Sequence, residues 1–345
     1  MESLKLGIIC PSEIAFRRFL PALKLVPNIA FIGVGVHSKN EKFGDEVVSE
    51  EEKTFAITKQ YKKATEIVEK YGGKIFHSYE ELITSPEIEA VYIPLPPALH
   101  YKWAKLALEN NKHVLLEKPF TTNISDTKQL IQIAKMNSKA IHENYMFKYH
   151  KQLNIIKEII SKGDLGDIRL YRMAFGFPMR NLDDFRYKKE LGGGAFLDAG
   201  GYTIKLASEL LGNTLTVKAA TLNKINEFNV DVYGSATLVS KEGKVAQIAF
   251  GMDNDYKCEL EVWGSKATLF TNRILTAPVE FSPEIIIKHN SEIKKILVES
   301  DDTFYKSIVH FIDCINNETS RIETYKEIEM QASLVDDFLS NVVEY

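Results

Sequence analysis

Buried strand-like runs alternate with helical segments over the first 145 residues, and this constrains the fold more than any other feature. Apolar runs lie at 4–9, 30–36 and 91–93, and segments with helical spacing, among them 59–71 and 99–110, lie between such runs. Continuously apolar runs are typical of parallel strands buried on both faces, with helices as the crossover connections. The pattern predicts a doubly wound parallel sheet of the α/β class.

Beyond residue 150 the pattern changes to strand-like runs without helices between them. These runs lie at 168–177, 214–222, 230–240, 244–251 and 258–264. Short turns join them, which favours an antiparallel sheet, and helical spacing returns at 303–315 and 325–343. We therefore expect two domains: an α/β domain over 1–148, and an α+β domain over 149–345 with an open, mostly antiparallel sheet and helices on one face.

Composition and charge exclude several classes of protein. Forty-seven acidic against 43 basic residues give a net charge of −4, and no basic patch of the kind that binds nucleic acid is apparent. No apolar run approaches the ~20 residues that span a bilayer, and the N-terminus does not resemble a secretory signal. Cys10, Cys258 and Cys314 lack metal-ligand spacing and suggest a reducing compartment. We expect a cytoplasmic protein without a metal, nucleic-acid or membrane site.

The turn after the first predicted strand is a candidate phosphate site. A dinucleotide fingerprint, G-x-G-x-x-G/A, lets a pyrophosphate approach the backbone at a helix N-terminus. This chain has Cys10 and Ser12 where two glycines are expected, so the motif match is weak. Backbone N–H groups and the helix dipole bind the anion, however, and small side chains leave that possible. The candidate residues here are Gly7, Cys10, Ser12, Ile14 and Ala15.

The end of the second predicted strand bears on the choice of cofactor. An NAD-specific fold usually has Asp or Glu here, to bind the ribose hydroxyls. This chain has Ser38 and Lys39, which attract a 2′-phosphate, and Arg17 and Arg18 in the first helix could add positive charge. The sequence therefore favours NADP(H) over NAD(H). An ordinary polar strand end is the competing interpretation.

Lys118 and Tyr202 are candidate catalytic residues. Lys118 follows an apolar run at the carboxyl edge of the predicted sheet, where ligands bind in such folds. Tyr202 lies in a predicted helix that follows the glycines at 192–194, and Asp198 precedes it by one turn on the same face. A phenol beside an ammonium group is a sensible proton donor next to a nicotinamide, and Asp198 could orient either group. Core packing of Tyr202 and a capping role for Asp198 are the alternatives.

Two further features have open roles. His100 follows a proline-rich turn and either lines the nicotinamide pocket or only begins the next helix. Segment 41–59 is polar and acid-rich, with Glu46 and Glu50 among its acidic residues. We expect this segment to be a solvated loop or an extension of the helix that follows, near the adenosine end of the cofactor.

Several segments along nearly the whole chain match one protein family. They are residues 6–9, 92–96 with His100, 113–119, 143–150 and 191–198. In these segments the chain resembles the Gfo/Idh/MocA family of NAD(P)-dependent oxidoreductases, and Glu117-Lys118-Pro119 together with the triple glycine is highly specific to it. Many members have histidine where Tyr202 stands, so the chain is similar to the tyrosine-bearing branch, which includes sugar oxidoreductases and dihydrodiol dehydrogenases. Residues 14–23 are similar to the first helix of nucleotide-sugar 3-ketoreductases.

The resemblance implies a Rossmann domain, an open-sheet domain for substrate binding and oligomerisation, and Lys118 with Tyr202 as the catalytic pair. It places segment 181–187 near the substrate, with Arg186 as a contact for a substrate phosphate. Implied cofactor contacts are Leu95, Pro96, His100, Glu117 and Lys118. Implied substrate contacts are Lys118, Asn144, Arg186, Asp198 and Tyr202. The missing glycines at Cys10 and Ser12 depart from the family pattern and bear on cofactor affinity.

The function expected from these features is an NADPH-dependent reductase of a keto-sugar, with the sugar expected to be nucleotide-linked. A dehydrogenase that oxidises a free sugar, polyol or dihydrodiol with NADP⁺ would use the same residues in reverse. A regulatory protein that binds NADP(H) without catalysis is the alternative from another class. Because the open sheet must cover its exposed face, we also expect a homodimer or homotetramer.

Overall fold

The computed structural model describes residues 3–43, 49–225 and 227–345, and these form two compact units. The first unit contains the described residues up to Thr121, together with Ser125–Asn144 and Phe304–Ile328. The second contains Thr122–Ile124, the described part of Tyr145–Thr303, and Glu329–Tyr345. Residues 304–328 thus belong to the first unit, whereas the division of function at residue 148 stays a prediction.

Strands and helices alternate in the first unit. The strands are β1 (Leu4–Ile8), β2 (Ile29–Gly35), β3 (Lys74–Phe76), β4 (Ala90–Ile93), β5 (His113–Leu116) and β6 (Ile141–Glu143). The helices are α1 (Leu20–Leu23), which π-helical residues Ala15–Phe19 precede, α2 (Lys39–Phe43), α3 (Glu50–Tyr71), α4 (Tyr79–Thr84), α5 (His100–Glu109) and α6 (Ile124–Met136). Among the described residues the strands form one parallel sheet in the order β3-β2-β1-β4-β5-β6. This order confirms the predicted doubly wound sheet, and its switch point lies between β1 and β4.

The acid-rich segment after β2 is helical from Glu50 onward. Ser49 caps this helix: its hydroxyl accepts the Glu52 N–H at 3.2 Å, and the Glu52 carboxylate accepts the Ser49 N–H at 3.2 Å. Such a reciprocal pair satisfies two backbone donors at a helix start. The helix-extension interpretation is therefore confirmed for residues 50–59, whereas Glu46 lies outside the described residues.

Antiparallel pairing dominates the second unit. Its strands are β7 (Ile168–Gly176), β8 (Thr216–Lys224), β9 (Asp231–Val239), β10 (Val245–Gly251), β11 (Lys257–Gly264), β12 (Thr268–Asn272), β13 (Glu284–His289), β14 (Glu292–Leu297) and β15 (Val342–Glu344). Within the described ranges they form one sheet in the order β14-β13-β12-β11-β7-β10-β9-β8-β15, in which β7–β10 and β8–β15 are the parallel pairs. The remaining helices are α7 (Lys151–Ser161), α8 (Gly201–Leu211), α9 (Thr303–Asn316) and α10 (Glu318–Ser340). The predicted mostly antiparallel sheet is confirmed.

The end of the chain differs from the prediction of a helix over 325–343. Helix α10 ends at Ser340, and Val342 pairs in parallel with Ala220 at the edge of the second sheet. Two consecutive β-branched residues, Val342 and Val343, favour the extended conformation once the helix has ended. None of the described helices is long and apolar enough to cross a membrane.

Candidate active site

The turn after β1 leads into a helix that begins with a side-chain cap. The Ser12 hydroxyl accepts the Ala15 N–H at 3.2 Å, as expected where serine replaces a glycine near a helix start. Ser12 and Ile14 are half-buried, and Cys10 is partly exposed. The first N–H groups of a helix have no acceptor one turn earlier, so this turn can offer donors to an anion.

Gly7 has a packing role. A Cβ built on Gly7 would come within 2.7 Å of the buried Leu82 side chain, so a larger residue would require that side chain to shift. Gly7 thus sets the packing of the first strand, which the fingerprint argument did not anticipate.

Ser38 and Lys39 lie just beyond β2, as predicted, and both have partners. The Ser38 N–H donates to the Glu41 carboxylate at 2.6 Å, and the Lys39 ammonium pairs with Glu50 at 2.7 Å. Glu41 also accepts the N–H groups of Tyr79 and Glu80 at the start of α4, at 3.1 and 2.9 Å. A carboxylate therefore lies near this strand end, but backbone donors already occupy it.

The two arginines of the first helix differ in their surroundings. Arg17 is exposed. The Arg18 guanidinium lies 5.2 Å from the ring centroid of Phe304, the second residue of α9. Packing against an aromatic ring places Arg18 in the interior of the first unit, whereas Arg17 remains available at its surface.

Lys118 lies just after β5. Hydrogen bonds to buried groups hold Glu117 and Phe120, which lie on either side of Lys118 and Pro119. The Glu117 carboxylate accepts hydrogen bonds from the Tyr92 hydroxyl and the Asn144 amide, both at 2.7 Å. On the other side, the Phe120 N–H donates to Glu143 at 2.7 Å. Desolvation raises the pKa of Glu117, and these two side-chain hydrogen bonds oppose that shift.

Asn144 and His100 brace this segment. Asn144 is 1% exposed, and its carbonyl oxygen accepts the Ser307 hydroxyl at 2.8 Å while its amide binds Glu117. The side-chain carbonyl and the NH₂ group of Asn144 are thus both hydrogen-bonded. These bonds favour a bracing role for Asn144; the predicted substrate contact stays a prediction.

His100 is fully buried, and its two ring nitrogens lie 2.8 Å from the Pro119 carbonyl and 2.7 Å from the Leu95 carbonyl. Burial lowers the pKa of His100 to about 4, so near neutral pH the ring can donate to one of these carbonyls. His100 is the first residue of α5 and ties the loop after β4 to the loop after β5. Leu95 is buried and Pro96 is half-buried beside it.

Tyr202 lies in an aromatic cluster within the second unit. Its ring centroid is 5.1 Å from that of Tyr145, 5.9 Å from that of Phe147 and 5.3 Å from that of Phe175. The Tyr202 hydroxyl lies 3.7 Å from the Met146 sulfur, and the residue is 7% exposed. These contacts hold the ring in one orientation, as a positioned proton donor requires.

Asp198 and Arg186 form an ion pair next to this cluster. The Arg186 Nε lies 2.5 Å from Asp198 Oδ2, and the Arg186 Nη1 lies 3.0 Å from Asp184 Oδ1. The two carboxylates outweigh desolvation and raise the pKa of Arg186, so the guanidinium stays charged. Asp198 therefore anchors segment 181–187, and the guanidinium predicted to contact a substrate phosphate already binds two carboxylates.

The prediction from sequence missed Asp231, the first residue of β9. Its carboxylate accepts the Phe196 N–H at 2.6 Å, at the start of the π-helical residues Phe196–Gly200 that lead into α8. Burial raises the pKa of Asp231 from 3.8 to about 6. No local motif identifies this residue, because its partner is a backbone group distant in sequence.

Comparison with known proteins identifies the family. The model of the oxidoreductase family GFO_IDH_MocA, with its NAD-binding Rossmann fold, matches residues 27–145. The GFO/IDH/MocA C-terminal domain matches residues 154–270. The chain belongs to the Gfo/Idh/MocA family of oxidoreductases.

Similar members of the Gfo/Idh/MocA family act on nucleotide-linked sugars. A dTDP-3,4-didehydro-2,6-dideoxy-α-D-glucose 3-reductase from Saccharopolyspora spinosa is 32% identical over 90% of this chain and 87% of its own length. The reductase of the same name from Actinomadura kijaniata is 32% identical over 96% and 94%. A 3-ketoreductase from Actinomadura kijaniata, crystallised with NADP and TDP-benzene, has a TM-score of 0.90 and 31% identity, with 99% of each chain covered.

Membership of the Gfo/Idh/MocA family makes this chain an oxidoreductase with a nucleotide-binding Rossmann domain and confirms the resemblance seen in the sequence. The fold of both units agrees with that of the 3-ketoreductase. The roles of individual residues, Lys118 and Tyr202 above all, remain predictions.

Proposed function

We propose that this protein is an NADPH-dependent reductase of a nucleotide-linked keto-sugar, with Tyr202 as the proton donor, aided by Lys118. The observation that carries the proposal is the likeness, over nearly the whole chain, to 3-ketoreductases of dTDP-linked deoxysugars. We therefore expect a dTDP-linked 3-keto-deoxysugar as the substrate class.

The residues of the first unit fit a dinucleotide. The capped turn at Ser12 and the start of the following helix would hold the pyrophosphate, and Ser38 with Lys39 would hold a 2′-phosphate. Because the ion pair of Lys39 with Glu50 is exposed to solvent, it contributes little to stability, and a phosphate can replace Glu50 at little cost. When bound, NADPH supplies the hydride that the carbonyl carbon accepts.

The side chains of this chain supply the proton and the charge stabilisation. As negative charge develops on the carbonyl oxygen, Tyr202 donates its hydroxyl proton to that oxygen. The Lys118 ammonium stabilises the same charge, and the hydrogen bonds of Glu117 and Phe120 hold the chain on either side of this lysine. Asp198 holds Arg186 and keeps segment 181–187 in place beside the tyrosine.

The direct test is reduction of dTDP-3,4-didehydro-2,6-dideoxy-α-D-glucose by the purified protein with NADPH. We expect one NADPH to be consumed per sugar reduced, and a much lower rate with a keto-sugar that lacks the nucleotide. Equal rates with and without the nucleotide would contradict the substrate class. Efficient oxidation of free sugars, polyols or dihydrodiols with NADP⁺ would favour the dehydrogenase, and NADPH binding without any turnover would favour a regulatory protein.

We also propose that the open face of the second sheet is covered by self-association. This face carries Tyr233, which is 44% exposed, and Trp263, which is 50% exposed, beside the Arg172–Glu261 ion pair. Aromatic side chains among paired charges are typical of an interface. Light scattering should give a dimer or tetramer, and Trp263→Lys should shift the protein toward the monomer. A monomeric wild type would contradict this proposal.

A further inference from the structure

The second unit contains an arginine near Tyr202 that the sequence did not single out. Arg186, the predicted phosphate contact, is 19% exposed at its side chain and binds Asp184 and Asp198. To bind a diphosphate it would have to give up a bidentate, partly buried contact. A second guanidinium, that of Arg180, immediately precedes segment 181–187.

Arg180 is held in a defined position although it is exposed. Its backbone N–H donates to the Tyr187 hydroxyl at 2.9 Å, and Tyr187 is 8% exposed. Its guanidinium lies 5.0 Å from the ring centroid of Phe177, over the ring. Phe177 is itself fixed, because its N–H donates to the Gly251 carbonyl at 3.2 Å and its carbonyl accepts the Asn254 N–H at 3.1 Å.

A series of aromatic contacts connects Arg180 to Tyr202. The Phe177 and Phe175 ring centroids lie 5.9 Å apart, and those of Phe175 and Tyr202 lie 5.3 Å apart. The guanidinium is thus two rings away from the proposed proton donor. In a nucleotide-linked sugar, the hexosyl ring and its glycosidic oxygen separate the reacting carbonyl from the diphosphate, so the anion lies away from the tyrosine that protonates the carbonyl oxygen.

Charges of both signs lie around Arg180. Desolvation and the positive charge of Arg186 lower the pKa of Arg180, while Asp198 and Asp184 act in the opposite direction. In the described part of the chain no carboxylate forms an ion pair with Arg180. A stacked guanidinium that is not engaged in an ion pair can bind a phosphate, which accepts its parallel N–H groups.

We propose that Arg180 is the group that binds the diphosphate of the nucleotide-linked sugar whose carbonyl lies at Tyr202. The inference rests on the proposed function for the identity of the sugar, but the affinity for the anion can be measured by itself. Arg180 then selects nucleotide-linked over free sugars, whereas Arg186 keeps the segment folded.

The test compares Arg180→Gln with Arg169→Gln, an exposed arginine of β7 that pairs with Asp167 on the protein surface. Calorimetric titrations with TDP, thymidine and inorganic pyrophosphate are made on the holoenzyme with NADPH present. We expect Arg180→Gln to weaken TDP and pyrophosphate binding about 10- to 100-fold and to leave thymidine binding unchanged, because one charge-assisted bidentate contact is lost. Arg169→Gln should bind all three as the wild type does.

Unchanged TDP affinity in Arg180→Gln would overturn the inference, and so would a wild type that binds neither TDP nor pyrophosphate. The proposed function is measured separately, by turnover of the dTDP-linked keto-sugar. If the wild type turns over this sugar while Arg180→Gln retains full TDP affinity, only the assignment of Arg180 fails. If pyrophosphate binding depends on Arg180 but no keto-sugar is reduced, the anion site stands and the proposed function fails.

Discussion

The carboxylate of Asp231 accepts the backbone N–H of Phe196 at 2.6 Å and so joins the start of β9 to the segment that carries Asp198 and Tyr202. The same carboxylate lies against Gly194, where a Cβ would come within 2.3 Å of its oxygen. The position of the proposed proton donor therefore depends on a half-buried acid that binds the backbone just before it.

Replacement of Asp231 by Asn should stabilise the protein at alkaline pH. Because burial raises the pKa of this carboxyl from 3.8 to about 6, its ionised form disfavours folding above about pH 6, and the wild type regains this stability as the pH falls. Asp231→Asn keeps an acceptor for the Phe196 N–H without the charge. We expect it to be more stable than the wild type by about 1–3 kcal/mol near pH 8, with a smaller difference near pH 4. Urea unfolding across this range measures the effect, and a difference independent of pH would contradict it.

Gly194→Ala should destabilise the glycine loop strongly. Gly194 has φ of 116°, and the added methyl group would collide with Asp231. The matched control is Gly163→Ala, at φ of 75°, where a Cβ would meet nothing within 4 Å. We expect a loss of about 1 kcal/mol for the control and at least about 2 kcal/mol more for Gly194→Ala, by urea unfolding. Equal losses would show that the contact with Asp231 carries no energy.

Tyr92→Phe should weaken the support of the segment that holds Lys118. The variant removes one of the two side-chain hydrogen bonds to the Glu117 carboxylate, which desolvation already disfavours. We expect unfolding free energy to fall by about 1–3 kcal/mol. Tyr101→Phe is the control, because the Tyr101 hydroxyl makes an exposed bond to Gln129, also at 2.7 Å, and its loss should cost less than about 0.5 kcal/mol. The same cost for both tyrosines would contradict the account.

Two lysines that pair with the same carboxylate can test the cofactor preference. Lys39 and Lys53 lie 2.7 and 3.3 Å from Glu50, but only Lys39 lies close to the end of β2, as the first residue of α2. We expect Lys39→Ala to raise the KM for NADPH about tenfold relative to that for NADH, through loss of a charged contact to the 2′-phosphate. Lys53→Ala should leave the ratio of the two KM values unchanged. An equal change in both variants would argue against a 2′-phosphate site at the end of β2.

The parallel sheet could be predicted because several of its strands are largely apolar, and the carboxyl ends of such strands pointed to Lys118. The hairpin of β13 and β14 was missed because β14 is largely exposed and reads Glu-Ile-Lys-Lys-Ile-Leu, without an alternating apolar face. The edge strand β15 has three residues, too few for a period to appear, and it follows directly on a long helix.

Within the candidate site, the sequence singled out candidate reactive side chains but not their partners. Lys118, Asp198 and Tyr202 stand in recognisable motifs. Arg186 was expected to be available to a substrate, but it pairs with Asp198, twelve positions along the chain. Asp231 gave no signal because its partner is a backbone N–H. Contacts of this kind depend on tertiary packing, which local patterns do not encode.

The central claim is that Tyr202 and Lys118 act on the same carbonyl oxygen, and a double-mutant cycle tests it most directly. Single-turnover rates of NADPH oxidation with the dTDP-linked keto-sugar are compared for Tyr202→Phe, Lys118→Ala, the double variant and Tyr171→Phe, a buried tyrosine of β7 that serves as the control. We expect each single replacement in the pair to lower the rate about 10²–10⁴-fold and the double variant to be little slower than either, because groups that act as a unit are not additive. Multiplicative losses in the double variant, or a wild-type rate in Tyr202→Phe, would contradict the claim.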